Sequence, residues 1–269
     1  MALYVEILNT GSELLDGRVV NTNGAWVAGR CSAHGLRVRR ITVVGDELGE
    51  ISSAIREILS RRPALLIITG GLGPTPDDMT AKAIAEALGK ELKLDRDALA
   101  MLRRFYGQEL TPAREKMAWL PEGARALENP VGAAPGMMVE HGGTKLIALP
   151  GVPAEMEAMF EAHVEPILAE LAKGITRFEA HFLTFGVREA DIADVLEDIA
   201  ERAPEVYVKT HPKSEDGHYY LEIYVSIITN SAEEARRKMG SVIMTLSERI
   251  TELGGSMKPY KPGPGDEAT

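Results

Sequence analysis

Apolar positions along the first two-thirds of the chain follow two alternating rhythms. Tyr4 to Leu8 has the near-continuous apolar character of a short buried strand. Asn21 to His34 reads as a helix, opened by Asn21 or Thr22 and closed by Gly35. Arg39 to Val44 predicts a second strand. Leu48, Ile51, Ala54, Ile55, Ile58 and Leu59 then recur at three- and four-residue spacing, which places them on one stripe of an amphipathic helix. Pro63 breaks that helix, and Ala64 to Ile68 is apolar throughout. Strands that are apolar on both faces and alternate with helices predict a parallel sheet covered by helices on both sides.

Further on, the pattern predicts helices from Asp78 to Leu88, ended by Gly89, and from Asp95 to Tyr106, ended by Gly107. Thr111-Pro112 opens a short third one. A Gly/Pro-rich stretch from Asn129 to Gly136 follows. Met137–Glu140 and Lys145–Leu149 then flank Gly142-Gly143 in the manner of a β-hairpin. Pro153 to Lys173 predicts a long amphipathic helix ended by Gly174, where a domain boundary is placed. The remainder changes rhythm: strand Phe178–Gly186, helix Glu189–Glu201, strands Val206–His211 and Tyr219–Ile228, helix Ala232–Leu253. The expected organisation is an α/β domain over 1–174, a compact α+β module over 175–255, and a flexible tail over 256–269, where Pro and Gly are dense.

Composition narrows the function classes. The 269 residues carry 40 acidic against 30 basic side chains, a formal net charge of −10. That balance argues against nucleic acid or anionic lipid as the main partner. It leaves anionic ligands open, because helix starts and bound cations hold phosphates in acidic proteins. One cysteine, Cys31, makes neither an internal disulfide nor a thiolate metal site. Neither a membrane-length apolar run nor a basic-then-apolar leader is present, so the expected location is the cytoplasm, away from the membrane.

Candidate chemistry falls where strands should end, the edge at which open α/β sheets bind ligands. Thr69-Gly70-Gly71-Leu72-Gly73 leaves the buried strand, and Asp77, Asp78 and Thr80 stand at the next helix start. The stretch reads either as a tight turn with a capping carboxylate or as a backbone cradle for phosphates beside a carboxylate-held divalent cation. Thr10-Gly11-Ser12 follows the first strand, with Asn21 either capping the next helix or reaching a ligand. Asp46, after the second strand, is either a helix cap or a metal ligand. Gly132 and Gly136, with Pro150-Gly151-Val152-Pro153-Ala154-Glu155, would let a flat ring or sugar lie against backbone, or are simply loop geometry with Glu155 in a favourable first turn. No GxxxxGK[ST] loop, GxGxxG fingerprint, HExxH pair or GxSxG elbow is present. Any chemistry is therefore that of carboxylates with a metal.

Six collinear segments resemble the amino-terminal part of the CinA family, a MoaB/MogA-like molybdopterin-binding fold. They are Gly11-Ser12-Glu13-Leu14-Leu15, Asn21-Thr22-Asn23, Val43-Val44-Gly45-Asp46, Thr69 to Thr80, Val131 to Gly136, and Pro150 to Met156. The resemblance spans about residues 3 to 170 and implies a three-layer α/β/α domain with a mostly parallel sheet, followed by a small KH-like α+β domain. It implies a homo-oligomer and a small phosphorylated ligand, a nucleotide or a pterin. In that family it implies hydrolysis of the pyrophosphate of ADP-ribose to AMP and ribose 5-phosphate with Mg, Mn or Co. The related branch binds molybdopterin without turnover or adenylylates it. Asp46 and Asp78 match the acidic metal and catalytic positions; Ser12, Asn21, Thr69, Gly70, Gly71, Gly73, Gly132, Gly136 and Glu155 fall in the ligand-binding loops. Three departures stand out. Ala133 stands where Thr is frequent, the family's carboxy-terminal amidase domain is absent, and the second module has no GxxG, which tells against RNA binding.

Overall fold

A computed structural model describes residues 3–215 and 218–261. The chain divides into two compact units, Met1–Lys173 and Gly174–Thr269.

In the first unit the chain runs β1 (Tyr4–Thr10), α1 (Ser12–Leu15), α2 (Thr22–Ala33), β2 (Arg37–Val44), α3 (Leu48–Ser60), β3 (Leu65–Thr69) and α4 (Thr80–Leu88). It continues through β4 (Leu92–Leu94), α5 (Arg96–Tyr106), α6 (Pro112–Lys116), β5 (Trp119–Pro121), β6 (Arg125–Leu127), β7 (Gly136–His141) and β8 (Thr144–Leu149). Six strands form one sheet in the order β2-β1-β3-β8-β7-β6. The first four are parallel; β7 and β6 continue antiparallel. Every residue of β3 is buried, as a central parallel strand requires. One face packs Leu8, Leu66 and Ile68 against Ile51, Ile55 and Ile58 of α3 and Ile84 of α4. The other packs Ile7, Ile67 and Ile147 against Val27 of α2 and Phe160. The unit is therefore three-layered, helices over both faces.

The long helix expected from Pro153 is interrupted. α7 (Pro153–Met159) passes through a π-helical turn, Phe160–Val164, into α8 (Glu165–Leu171). Pro166 explains the break: its nitrogen has no hydrogen to return to the preceding turn, and its ring crowds that turn's carbonyl. The carboxylate of Glu6 lies fully buried under β1, and Arg61 at the end of α3 caps it with Nη2 at 2.6 Å from Oε2 and Nε at 2.9 Å from Oε1. Short strands β4, β5 and β6 and helix α1 carry too few residues to show a period in the sequence.

In the second unit β9 (Thr176–Phe185), a 3-10 turn (Glu189–Ile192) leading into α9 (Ala193–Arg202), β10 (Val206–Glu215), β11 (His218–Thr229), α10 (Ala232–Glu252) and β12 (Ser256–Tyr260) follow in order. The sheet order is β10-β11-β9-β12, all antiparallel. That is the split β-α-β arrangement, with α9 and α10 contributing Val195, Ile199, Met239, Val242 and Leu246 to a core on one sheet face. The expected tail is corrected here: Ser256–Tyr260 is an edge strand paired with β9, and Met257 packs on the core. Residues 262–269 lie outside the described residues. Both edge strands carry a proline, Pro212 in β10 and Pro259 in β12, the position in a sheet that tolerates one.

Candidate functional site

The parallel strands end level. Thr10 of β1 pairs with Val44 of β2, while Asn9 of β1 pairs with Thr69 of β3, which in turn pairs with Leu149 of β8. β7 runs the other way, so Gly136 enters the sheet at this same edge. All the stretches singled out above therefore gather along one sheet edge.

The Gly70–Gly71 turn is its tightest part. Both residues have positive φ, 103° and 65°. Gly70 N–H donates to Leu149 O at 3.0 Å, so this amide is spent on the sheet edge. Thr80, fully buried at the start of α4, donates its hydroxyl to Gly70 O at 2.8 Å and its N–H to Gly71 O at 3.0 Å. A side chain on Gly71 would overlap the Thr80 hydroxyl, and a Cβ on Gly151 would stand 3.3 Å from Gly70 Cα. The turn is thus clamped from both sides. Gly71 and Gly73 N–H groups have no acceptor among the described residues and remain the amides available to an anion.

Beneath the turn runs a buried polar chain that sequence reasoning passed over. Asn21 caps α2 through Gly24 N–H (2.9 Å) and donates from Nδ2 to Asn9 Oδ1 at 3.0 Å; Asn9 Nδ2 donates to Thr69 Oγ1 at 2.6 Å. Of the two readings of Asn21, the structure shows the cap, with the amide also tied to Asn9. The missed signal is Asn9 itself, an amide near the end of β1, 1% exposed. Asn23 Nδ2 reaches Gly151 O at 2.8 Å and ties α2 to the loop after β8.

The carboxylates are each engaged in their own loop. Asp46 Oδ2 accepts Ser12 N–H at 2.8 Å while Ser12 Oγ accepts Asp46 N–H at 3.1 Å, a reciprocal pair joining the loops after β1 and β2. Asp78 Oδ2 accepts Thr75 N–H at 2.8 Å and the Thr75 hydroxyl at 2.7 Å, and it packs against Gly73. The Thr75 hydroxyl also donates to Asp77 and holds that carboxyl below its usual range. Glu155 Oε2 accepts from Asn129 Nδ2 at 2.7 Å and fills the space beside Gly132, while Gly136 lies within β7 packed against Ala148 and Met159. No hydrogen bond joins Asp46 to Asp78 among the described residues. The strands they follow, β2 and β3, lie two interstrand spacings apart, about 10 Å, and Asp78 comes nine residues after the end of β3.

Among the described residues no group of three or more His, Cys, Asp or Glu side chains is placed to hold a metal. Carboxylates are the ligands a hard divalent ion takes, and one or two of them with a ligand's phosphates are how Mg²⁺ is commonly bound. Asp46 Oδ1 and Asp78 Oδ1 are the oxygens that the loop contacts leave unused.

Residues 6–170 match the protein family described as "Probable molybdopterin binding domain". A protein of Pyrobaculum arsenaticum is 45% identical over 254 residues, 93% of this chain and 94% of its own length. Protein Ta0487 of Thermoplasma acidophilum is 40% identical over 254 residues, covering 94% of this chain and 98% of its own. A crystal structure described as the protein CinA with unknown function, from Thermoplasma acidophilum, superposes with a TM-score of 0.60 at 48% identity, covering 62% of this chain and 98% of that one. No helix among the described residues is long and apolar enough to cross a membrane. With the family model spanning more than half of the chain and a relative 45% identical over 93% of it, the chain belongs to the molybdopterin-binding domain family, in its CinA-like, MoaB/MogA-type form.

Proposed function

We propose that the first unit hydrolyses the pyrophosphate bond of a small nucleotide of the ADP-ribose type, giving AMP and ribose 5-phosphate. The observation that carries this reading is the meeting, at one sheet edge, of amides without acceptors at Gly71 and Gly73 with Asp46 and Asp78. In this reading the two amides hold a phosphate, and the clamped Gly70–Gly71 turn keeps them aimed without rearrangement. Asp46 and Asp78 would hold a Mg²⁺, Mn²⁺ or Co²⁺ ion, which would offset the phosphate charge and acidify a water. Water oxygen attacks one phosphorus, the bond from that phosphorus to the bridging oxygen breaks, the bridging oxygen leaves with the electron pair, and the proton lost by the water passes to solvent. Glu155 or Asp77 orients the water.

A second reading is favoured by a specific observation: both carboxylates already brace loops, and the family is described by pterin binding. There the same edge holds molybdopterin or a nucleotide without turnover, or passes AMP from ATP to the pterin. Incubation with ADP-ribose and each metal, followed by assay for AMP, separates the readings. Asp46→Asn and Asp78→Asn keep an acceptor for Ser12 and Thr75 N–H and so keep the loops. On the hydrolase reading each lowers kcat by about 100-fold, the order of a lost charge-stabilising group. Saturable binding without AMP, unchanged in Asp78→Asn, supports the binding reading, and label transfer from ATP supports the transferase.

A further inference from the structure

The second unit's sheet has two unlike faces. One is the core under α9 and α10, lined by Phe182, Leu221, Ile223 and Val225. The strand register puts the alternate residues on the other face, with Tyr224 of β11 opposite His181 of β9 and Tyr220 opposite Phe185. On that face Tyr207, Tyr224 and His181 form a row across three strands, with ring centroids 6.2 Å and 4.9 Å apart. Phe185 and Tyr220 form a second pair at 6.0 Å. Arg177 and Glu179 brace the Tyr224 hydroxyl from β9, at 3.3 Å and 3.1 Å. Large rings stay in solvent: Tyr207 is 57% exposed and Phe185 40%. A sheet face meant only for water does not carry such a run of rings.

Cations stand at both flanks of the rings. Lys209 on β10 lies opposite Tyr224, and Lys258 on β12 lies opposite Leu183, each exposed and without a carboxylate partner among the described residues. The same face also carries Glu179, at the Tyr224 hydroxyl, and Glu222, 3.9 Å from Lys213, while other acids of this unit lie on the helical side. Asp191, Asp194, Glu197, Asp198 and Glu201 all ride the α9 segment that covers the opposite face. The net charge of −10 is that of the whole chain and does not describe this face, where Lys209 and Lys258 stand exposed.

We propose that this open face binds single-stranded nucleic acid, with bases stacking on Phe185 and Tyr207 and phosphates tracking past Lys209 and Lys258. Rings across three strands of an antiparallel sheet, with cations beside them, match what a single strand offers: base faces spaced along a charged backbone. A duplex hides its base faces and does not fit. The inference concerns the second unit alone and is independent of the chemistry proposed for the first.

Fluorescence anisotropy of the full chain with labelled single strands of about ten nucleotides, RNA and DNA, against a duplex of equal length tests it. The expected result is saturable binding of the single strands, at least tenfold tighter than of the duplex. Phe185→Ala and Tyr207→Ala each weaken it by about 5-fold or more, the loss expected for one stacked base. Lys209→Gln and Lys258→Gln each reduce the slope of log K against log salt by about 0.7. Circular dichroism and ADP-ribose turnover stay unchanged in all four variants. Absence of binding, or binding indifferent to Phe185→Ala and Tyr207→Ala, overturns the proposal. So does sedimentation showing that those two variants convert a dimer to a monomer, because a second copy of the chain then occupies the face.

Discussion

Glu6 and Arg61 show at single-residue scale what a buried charge requires. The carboxylate is fully buried, the guanidinium half-enclosed beside it, and the carboxylate's proximity raises the Arg61 pKa above its ordinary value. Removing one partner strands the other. Arg61→Met is expected to cost about 3–5 kcal/mol in urea unfolding, with Glu6→Leu added to it restoring much of that loss. Gly71 poses the opposite problem, of space. At φ 65° and in contact with Thr80, it admits no side chain without strain. Gly71→Ala is expected to lose about 1–3 kcal/mol and to abolish ligand binding, measured by melting and by titration with ADP-ribose. The glycines of this turn were legible in the sequence because their spacing after an apolar run has few other uses. Asn9 was not, because one polar residue at a strand end looks like the end of the strand. Nor did the sequence show that Gly70 N–H is already taken by Leu149.

Among elements, α2 and α8 are joined by one carboxylate. Glu165 pairs with Arg30 and, at 3.3 Å, with His34. Burial alone would push Glu165 upward, but the hydrogen bonds from Arg30 and His34 outweigh it and hold its carboxyl below the usual glutamate range. A carboxyl depressed in the folded state stabilises above its unfolded pKa and loses that contribution as pH falls through its folded value. Stability of the natural chain should therefore decline more steeply below about pH 4.5 than that of Glu165→Gln, read from denaturant midpoints across the acid range. Long elements with a clean period, α3 and β3 above all, announced themselves. The π turn did not, because Pro166 sits inside an otherwise unbroken apolar stripe. β12 escaped for a related reason: Pro259 belongs to an edge strand, where a missing donor faces solvent, and the proline density around it suggested fraying.

On the scale of the whole molecule, the two units carry separate cores, so their stabilities can be moved one at a time. Ending the chain after Gly255 removes β12 and leaves the β9 edge and the core around Met257 uncovered. Calorimetry should then show the transition of the second unit lowered by several degrees while that of the first stays in place. A single transition shifted as one would mean the units unfold together. Alternation of strands and helices made the first unit's class readable from the sequence. The second unit's fourth strand was not readable, and without it the sheet order and the open ring-bearing face could not be drawn.

The sealed carboxylate of Glu6 also sets an order of events as the chain leaves the ribosome. Glu6 emerges 55 residues ahead of its counter-ion. Until then, laying β1 into an apolar layer would strand a naked charge, at a cost of several kcal/mol. The first strand must therefore wait, hydrated, for the end of α3, and the sheet is assembled around its second helix crossing rather than outward from its amino terminus.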